Sequence, residues 1–137
     1  MAESAPFLSA DSAALLEWRA KRCAAFEMKI IGYDPLRSPE AALQLGAERV
    51  DLQEIFRRSD IITIHTPYSA ETKGLIGSKE IAMCKDGIRI VNCARGGIVD
   101  EAALLDGLKS GKVAGAALDV FSAEPPGNHP LILHPNV

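Results

Sequence analysis

The stretch CKDGIRIVNCARGGIVDE, Cys84 to Glu101, changes local character four times. Lys85, Asp86 and Gly87 make a turn, and Ile88, Ile90 and Val91 follow as a buried strand. Arg95-Gly96-Gly97 is a tight bend, and Asp100 is placed to cap a new helix. An arginine set directly after a strand, beside two glycines that let the backbone approach a ligand, is a planar fork at the mouth of a sheet. Such a fork suits a carboxylate or a phosphate, whereas an isolated arginine in a loop reads as ordinary surface charge.

The same order recurs outward from this stretch. Met28 to Tyr33 (MKIIGY) is a short apolar run stopped by Asp34-Pro35, which a helix tolerates poorly, so it is a strand. Ile61 to His65 (IITIH) is a second buried strand, stopped by Thr66-Pro67, and Ala114 to Val120 is the last. Helices are expected over residues 12–26, with Asp11 or Ser12 as N-cap and Ala14, Leu15, Trp18, Arg22 and Ala25 on one face. Further helices are expected at Pro39 to Leu45 (closed by Gly46), from Leu52 to Ser59 behind Asp51, near Ser78 to Met83, and from Asp100 to Ser110 before Gly111. Ser122 to Pro130 is a proline-rich loop. Continuous apolar strands, each followed by a helix, define an α/β fold with a doubly wound parallel sheet covered on both faces. Ligands of such sheets sit beyond the carboxyl ends of the strands, where Asp34, His65, Arg95 and Asp119 all fall.

Composition narrows the function classes. The chain has 137 residues, 47% hydrophobic and 24% charged, with a net charge of −3, which suits one globular domain and gives no basic footprint for nucleic acid. No apolar run is long enough to span a membrane. Cys23, Cys84 and Cys93 have neither paired spacing nor an even count, which favours free thiols over disulfides and offers no metal site. The N-terminal residues lack the pattern of a secretory signal, so the expected location is cytoplasmic.

Several separated motifs agree in order with one family. The Cys84 to Glu101 run, MKIIGYDP, IHTPYSAETKGLI, and GAALDVFSAEPP from Gly115 to Pro126 together resemble the NAD-binding domain of the D-isomer-specific 2-hydroxyacid dehydrogenases. The resemblance runs from about Ala20 to Val137 and leaves residues 1–19 as a divergent segment before a partial Rossmann-like domain. It implies NAD as cofactor and a small 2-hydroxy or 2-keto acid as substrate. Asp34, with Pro35 beside it, would accept hydrogen bonds from the adenosine ribose, although it also reads as a plain Asp-Pro turn. His65, Thr66 and Pro67 would line the adenine side, with Thr72 nearer the phosphates, while His65 alone reads as a strand-end histidine with a satisfied ring. Cys93 and Ala94 would flank the nicotinamide, and Asp119 would bond its carboxamide; the packing of Cys93 is equally that of a small buried apolar residue. Arg95 would bind the substrate carboxylate and polarise the reacting oxygen. Glu124 would orient a histidine that moves the hydroxyl proton.

Two departures accompany the resemblance. By the family's spacing the phosphate-loop glycines fall at Asp11, Ala13 and Leu16, yet the first glycine in the chain is Gly32. Asp11 and Glu17 place negative charge where a pyrophosphate would sit. The preceding first strand is also expected to be missing, because Glu3 to Asp11 contains Pro6 and small alternating residues. At the other end, the family's catalytic histidine lies beyond the HPNV stretch at which this chain stops; His129 and His134 read as loop residues. These departures lead us to expect an isolated chain without turnover. The rival expectations are an NAD-sensing corepressor-like binding module, a non-catalytic truncated isoform able to associate with full-length subunits, and a hydroxypyruvate or glyoxylate reductase.

Overall fold

The computed structural model describes residues 7–9, 20–36 and 38–137. Strand β1 (Phe7–Ser9) is followed by helical residues 20–25 (α1), then β2 (Ile30–Tyr33), α2 (Pro39–Gln44), β3 (Ala47–Arg49) and α3 (Leu52–Arg58). After these come β4 (Ile61–His65), α4 (Ser78–Met83), β5 (Ile88–Asn92), α5 (Glu101–Ser110) and β6 (Val113–Leu118). All six strands pair in parallel, in the order β3-β2-β1-β4-β5-β6. That order reverses across β1 and β4, which makes their carboxyl ends the switch point of a Rossmann-type sheet.

The expected lack of a first strand is corrected by this topology. Phe7 pairs with Gly32 on one side and Thr63 on the other, so β1 is the sheet's central strand. A three-residue strand flanked on both sides needs only backbone pairing, and so short a segment leaves little alternating pattern to read in sequence. The expected phosphate-loop positions at residues 11, 13 and 16, with Glu17, lie outside the described residues, as do the first turns of the helix expected over 12–26.

Local chemistry accounts for the remaining elements. Asp51 Oδ1 accepts from the Glu54 N–H at 2.8 Å, and Asp100 Oδ1 accepts from the Ala103 N–H at 2.9 Å, so both aspartates cap as their positions predict. Each such cap contributes about 1 kcal/mol. Gly111 closes α5 in the left-handed conformation at φ 78°, which a Cβ would strain. One core holds the sheet to its helices: Ile62, Ile64, Ile88 and Ile90 from the strands meet Ile55 and Phe56 of α3, Ile81 of α4, and Leu104 and Leu108 of α5. Burying each of these large side chains stabilises the fold by about 1.5–3 kcal/mol.

β6 begins and ends earlier than its apolar run suggests. Val113 is fully buried and packs over Gly107, where an added Cβ would come within 2.8 Å of its Cγ2. A larger residue at position 107 would hold α5 away from the sheet. Past Leu118 the Asp119 N–H bonds the Asn92 carbonyl at 3.0 Å, and the chain then crosses over Gly96. Among the described residues no helix is long and apolar enough to cross a membrane, and no group of three or more His, Cys, Asp or Glu could hold a metal ion.

Candidate functional site

Strand register brings the expected residues to one edge. Tyr33 pairs with Leu8, Ser9 with His65, Ile64 with Asn92, and Asn92 with Leu118. Asp34, Thr66, Cys93 and Asp119 therefore each begin where a strand stops, in a row along the carboxyl edge of the sheet.

The Arg95 loop is built from beneath by Asn92. This side chain is 2% exposed, and it uses both ends: Oδ1 accepts from the Ala94 N–H at 3.1 Å and Nδ2 donates to the Arg95 carbonyl at 3.0 Å. The clamp turns the chain sharply and leaves the Arg95 side chain exposed, with Nη1 donating to the Ala94 carbonyl at 2.6 Å. Gly97 follows at φ 77°. The role expected for the two glycines changes here. A methyl group on Gly96 would overlap the Phe121 carbonyl and fall 2.7 Å from the Ser122 nitrogen, so the close approach is to the loop after β6. Tyr68, Lys73, Arg95, Gly96, Gly97 and Ser122 line an open cleft of about 520 Å³ above this bend. Among the described residues the charged side chains in its lining are Lys73 and Arg95, so the cleft suits an anion.

The loop after β6 is fastened by two carboxylates. Glu101 Oε1 accepts from the Ser122 N–H at 2.6 Å and from its hydroxyl at 2.7 Å, while Oε2 meets His129 Nε2 at 3.2 Å. His129 Nδ1 accepts from the Leu131 N–H at 3.3 Å, which leaves the proton of the neutral ring on Nε2, facing Glu101. Glu124 Oε1 accepts from the Phe121 N–H at 2.7 Å. Glu124 thus organises its own loop, and His129 is engaged by Glu101. His134 Nδ1 accepts from the Asn136 N–H at 3.2 Å.

On the adenosine side, Asp34 is 9% exposed and its Oδ1 accepts from the Leu36 N–H at 2.8 Å, which is the Asp-Pro turn its sequence suggests. Its carbonyl lies 3.5 Å from Arg49 Nη2. His65 is buried with Nε2 at 2.8 Å from Thr63 Oγ1, so its ring has a partner within its own strand. Pro67 is exposed. Thr72 knits the following loop, its hydroxyl donating to the Pro67 carbonyl at 2.7 Å and accepting from the Ser69 N–H at 2.7 Å. Thr66 differs from all of these: its Oγ1 is buried and has no hydrogen-bond partner among the described residues. A buried hydroxyl left unmatched costs about 1–3 kcal/mol, and here it lies at the switch point, where a bound molecule would supply the missing bond.

Cys93 is exposed, contrary to the reading of it as a small buried residue, and Ala94 is buried beneath it. The sequence reading missed Asn92, Lys73, Tyr68, Ser122 and Glu101. Asn92 carried a signal, since a polar residue that ends an otherwise apolar buried strand needs partners for both ends of its amide. Lys73 and Ser122 carried none, because only the fold brings their loops together.

The unmatched Thr66 hydroxyl and the Asp34 carboxylate at the end of β2 are suited to the hydroxyl groups of a dinucleotide; the segment that would meet the pyrophosphate lies outside the described residues. The sheet order and these polar strand ends define a Rossmann-type module. Residues 18–137 match the family model "D-isomer specific 2-hydroxyacid dehydrogenase, NAD binding domain", and the chain belongs to this family. Rat D-3-phosphoglycerate dehydrogenase is 54% identical over 118 residues, and that of Bacillus subtilis is 50% identical over the same length. In both cases 86% of this chain matches 22% of the relative, so the chain spans about a fifth of these proteins. Among solved structures, a glyoxylate reductase from Paecilomyes thermophila superposes with a TM-score of 0.85 at 37% identity, covering 95% of this chain and 39% of that one. The NAD complex of a D-isomer-specific 2-hydroxyacid dehydrogenase from Lactobacillus delbrueckii ssp. bulgaricus superposes with a TM-score of 0.80 at 29% identity, covering 88% and 36%.

Proposed function

We propose that this chain carries the cofactor-side half of a site for NAD-linked oxidation of a small 2-hydroxy acid, of the D-3-phosphoglycerate dehydrogenase type that feeds serine synthesis. The observation that carries the reading is the Asn92 clamp, which fixes the backbone turn from which the exposed Arg95 side chain leaves the mouth of the sheet. Arg95 binds the acid's carboxylate through its two parallel N–H groups and orients the carbon that bears the hydroxyl. NAD, when bound, supplies the hydride acceptor. Thr66 donates to or accepts from it at the switch point, Asp119 stands beside the nicotinamide, and Cys93 and Ala94 form the floor. Asp34 favours a free ribose 2′-hydroxyl over a 2′-phosphate, because its carboxylate repels the phosphate's charge. Glu124 steadies the loop that forms the cleft's far wall.

The hydroxyl proton needs an acceptor that none of these residues provides. Glu101 engages His129, and the Asn136 N–H engages His134. The described residues therefore supply the cofactor and carboxylate half of the site without the proton acceptor.

Calorimetric titration with NAD tests the cofactor assignment. The sequence of residues 10–19 lacks glycine and carries Asp11 and Glu17, so NAD should bind with a dissociation constant of about 1 mM, and NADP more weakly still. Micromolar NAD binding would contradict the weight placed on the missing glycines. No saturable binding by about 10 mM would contradict the cofactor half-site itself.

A further inference from the structure

The cleft above Arg95 holds a second cation that the function just proposed does not use. Lys73 lines the same wall as Arg95, and among the described residues its ammonium has neither an ion pair nor a side-chain hydrogen bond. By contrast Lys85 and Lys112, which precede β5 and β6 at the opposite edge of the sheet, are paired, with Asp60 at 2.8 Å and Asp86 at 2.7 Å. Among the described residues no carboxylate lines the cleft. Glu101 is turned toward Ser122 and His129, and Glu124 toward the Phe121 N–H.

Backbone bonds fix the two loops that carry these cations. The Lys73 N–H donates to the Ser69 carbonyl at 3.0 Å, and the Gly74 N–H donates to the Gly97 carbonyl at 2.8 Å. Ile76 adds a bond to the Ile98 carbonyl at 3.2 Å. The residue after Lys73 is thereby tied to the second residue after Arg95. Two like charges held in one open cleft repel each other until a ligand with two anionic groups lies between them.

We propose that Lys73 is a specificity-determining residue: it binds a phosphoryl group on the same 2-hydroxy acid whose carboxylate Arg95 holds. The inference rests on the carboxylate reading of Arg95 and adds the substrate's second charge. Lysine suits this place because it meets a phosphoryl group as a point charge, while the planar arginine fork matches the carboxylate. Tyr68, half-exposed on the same wall, adds a hydroxyl donor. The Ser122 hydroxyl gives its proton to Glu101, so its oxygen offers only acceptance there.

The test is an amide-resolved NMR titration of the ¹⁵N-labelled chain with D-glycerate, 3-phospho-D-glycerate, inorganic phosphate and ADP, following residues 68–74 and 93–97. Phosphoglycerate should bind about ten-fold more tightly than glycerate. Lys73→Gln should abolish that preference and leave glycerate affinity within about two-fold, and Lys73→Arg should restore most of it. Equal affinities in the unsubstituted chain, or a preference that survives Lys73→Gln, would overturn the proposal. Lys73-dependent binding of ADP without phosphoglycerate would overturn it in favour of a cofactor phosphate. Lys73-dependent binding of phosphate and phosphoglycerate without glycerate would keep the phosphoryl position and overturn the carboxylate reading of Arg95. Absence of binding by every anion would remove both.

Discussion

Asn92 Nδ2 donates to the Arg95 carbonyl at 3.0 Å, so the residue that ends β5 sets the direction of the arginine three positions on. Its other end takes the Ala94 N–H, and almost none of the side chain reaches solvent. The backbone that carries the arginine is thus set by an amide hidden under the loop, while the guanidinium itself meets only the Ala94 carbonyl among the described residues.

Asn92→Ala removes both bonds at once and leaves a backbone N–H and a carbonyl without partners. Each unsatisfied buried group costs about 1–3 kcal/mol, so the variant should melt several degrees lower. Amide spectra should show residues 93–97 broadened while α2 and β3 keep their positions. A melting temperature within a degree of the parent, with unchanged loop signals, would show that the loop holds itself.

Glu27 is the one described non-glycine residue with positive φ, at 61°, just past the end of α1, where the Met28 N–H bonds back to the Cys23 carbonyl at 3.2 Å. A side chain in the left-handed region costs about 1–2 kcal/mol, and glycine carries no such cost in the folded state. Glu27→Gly should therefore raise stability by up to about 1 kcal/mol once glycine's greater freedom in the unfolded chain is counted. Chemical denaturation measures this directly, and a lower midpoint would contradict it.

The cysteines should separate by reactivity. Burial pushes the Cys84 thiol up to about 11, against the pull of Lys112, and Glu80 adds to the rise. Its Sγ also donates to the Glu80 carbonyl at 3.2 Å. A folded value above the unfolded one of about 8.5 means that the neutral thiol is preferred in the fold. This contribution is full below about pH 8.5 and is lost as pH rises toward 11. At pH 8, iodoacetamide followed by peptide mass mapping should modify exposed Cys93 first, Cys23 more slowly because burial also raises its thiol, and Cys84 only on unfolding. Equal rates at Cys84 and Cys93 would contradict the burial.

The sequence conveyed the frame well because its signals are local. Asp51, Asp100 and Gly111 act within four residues of themselves, and the isoleucine runs of β4 and β5 announce strands whose burial on both faces follows from the parallel sheet. β1 was missed because three residues paired on both sides carry almost no pattern of their own. Within the site, the edge positions of Asp34, His65, Arg95 and Asp119 followed from strand endings. The partners did not. Glu101 meets Ser122 across 21 positions, and Gly96 makes room for Phe121 across 25, contacts that exist only once β6 lies beside β5.

The central claim is that Arg95 at the mouth of the sheet is a carboxylate-binding residue, and an NMR titration with D-glycerate, comparing the parent chain with Arg95→Gln, tests it most directly. Saturable shifts at residues 93–97 in the parent, reduced at least ten-fold in apparent affinity by Arg95→Gln, are the predicted result. The same shifts with the same affinity in both proteins would contradict the claim.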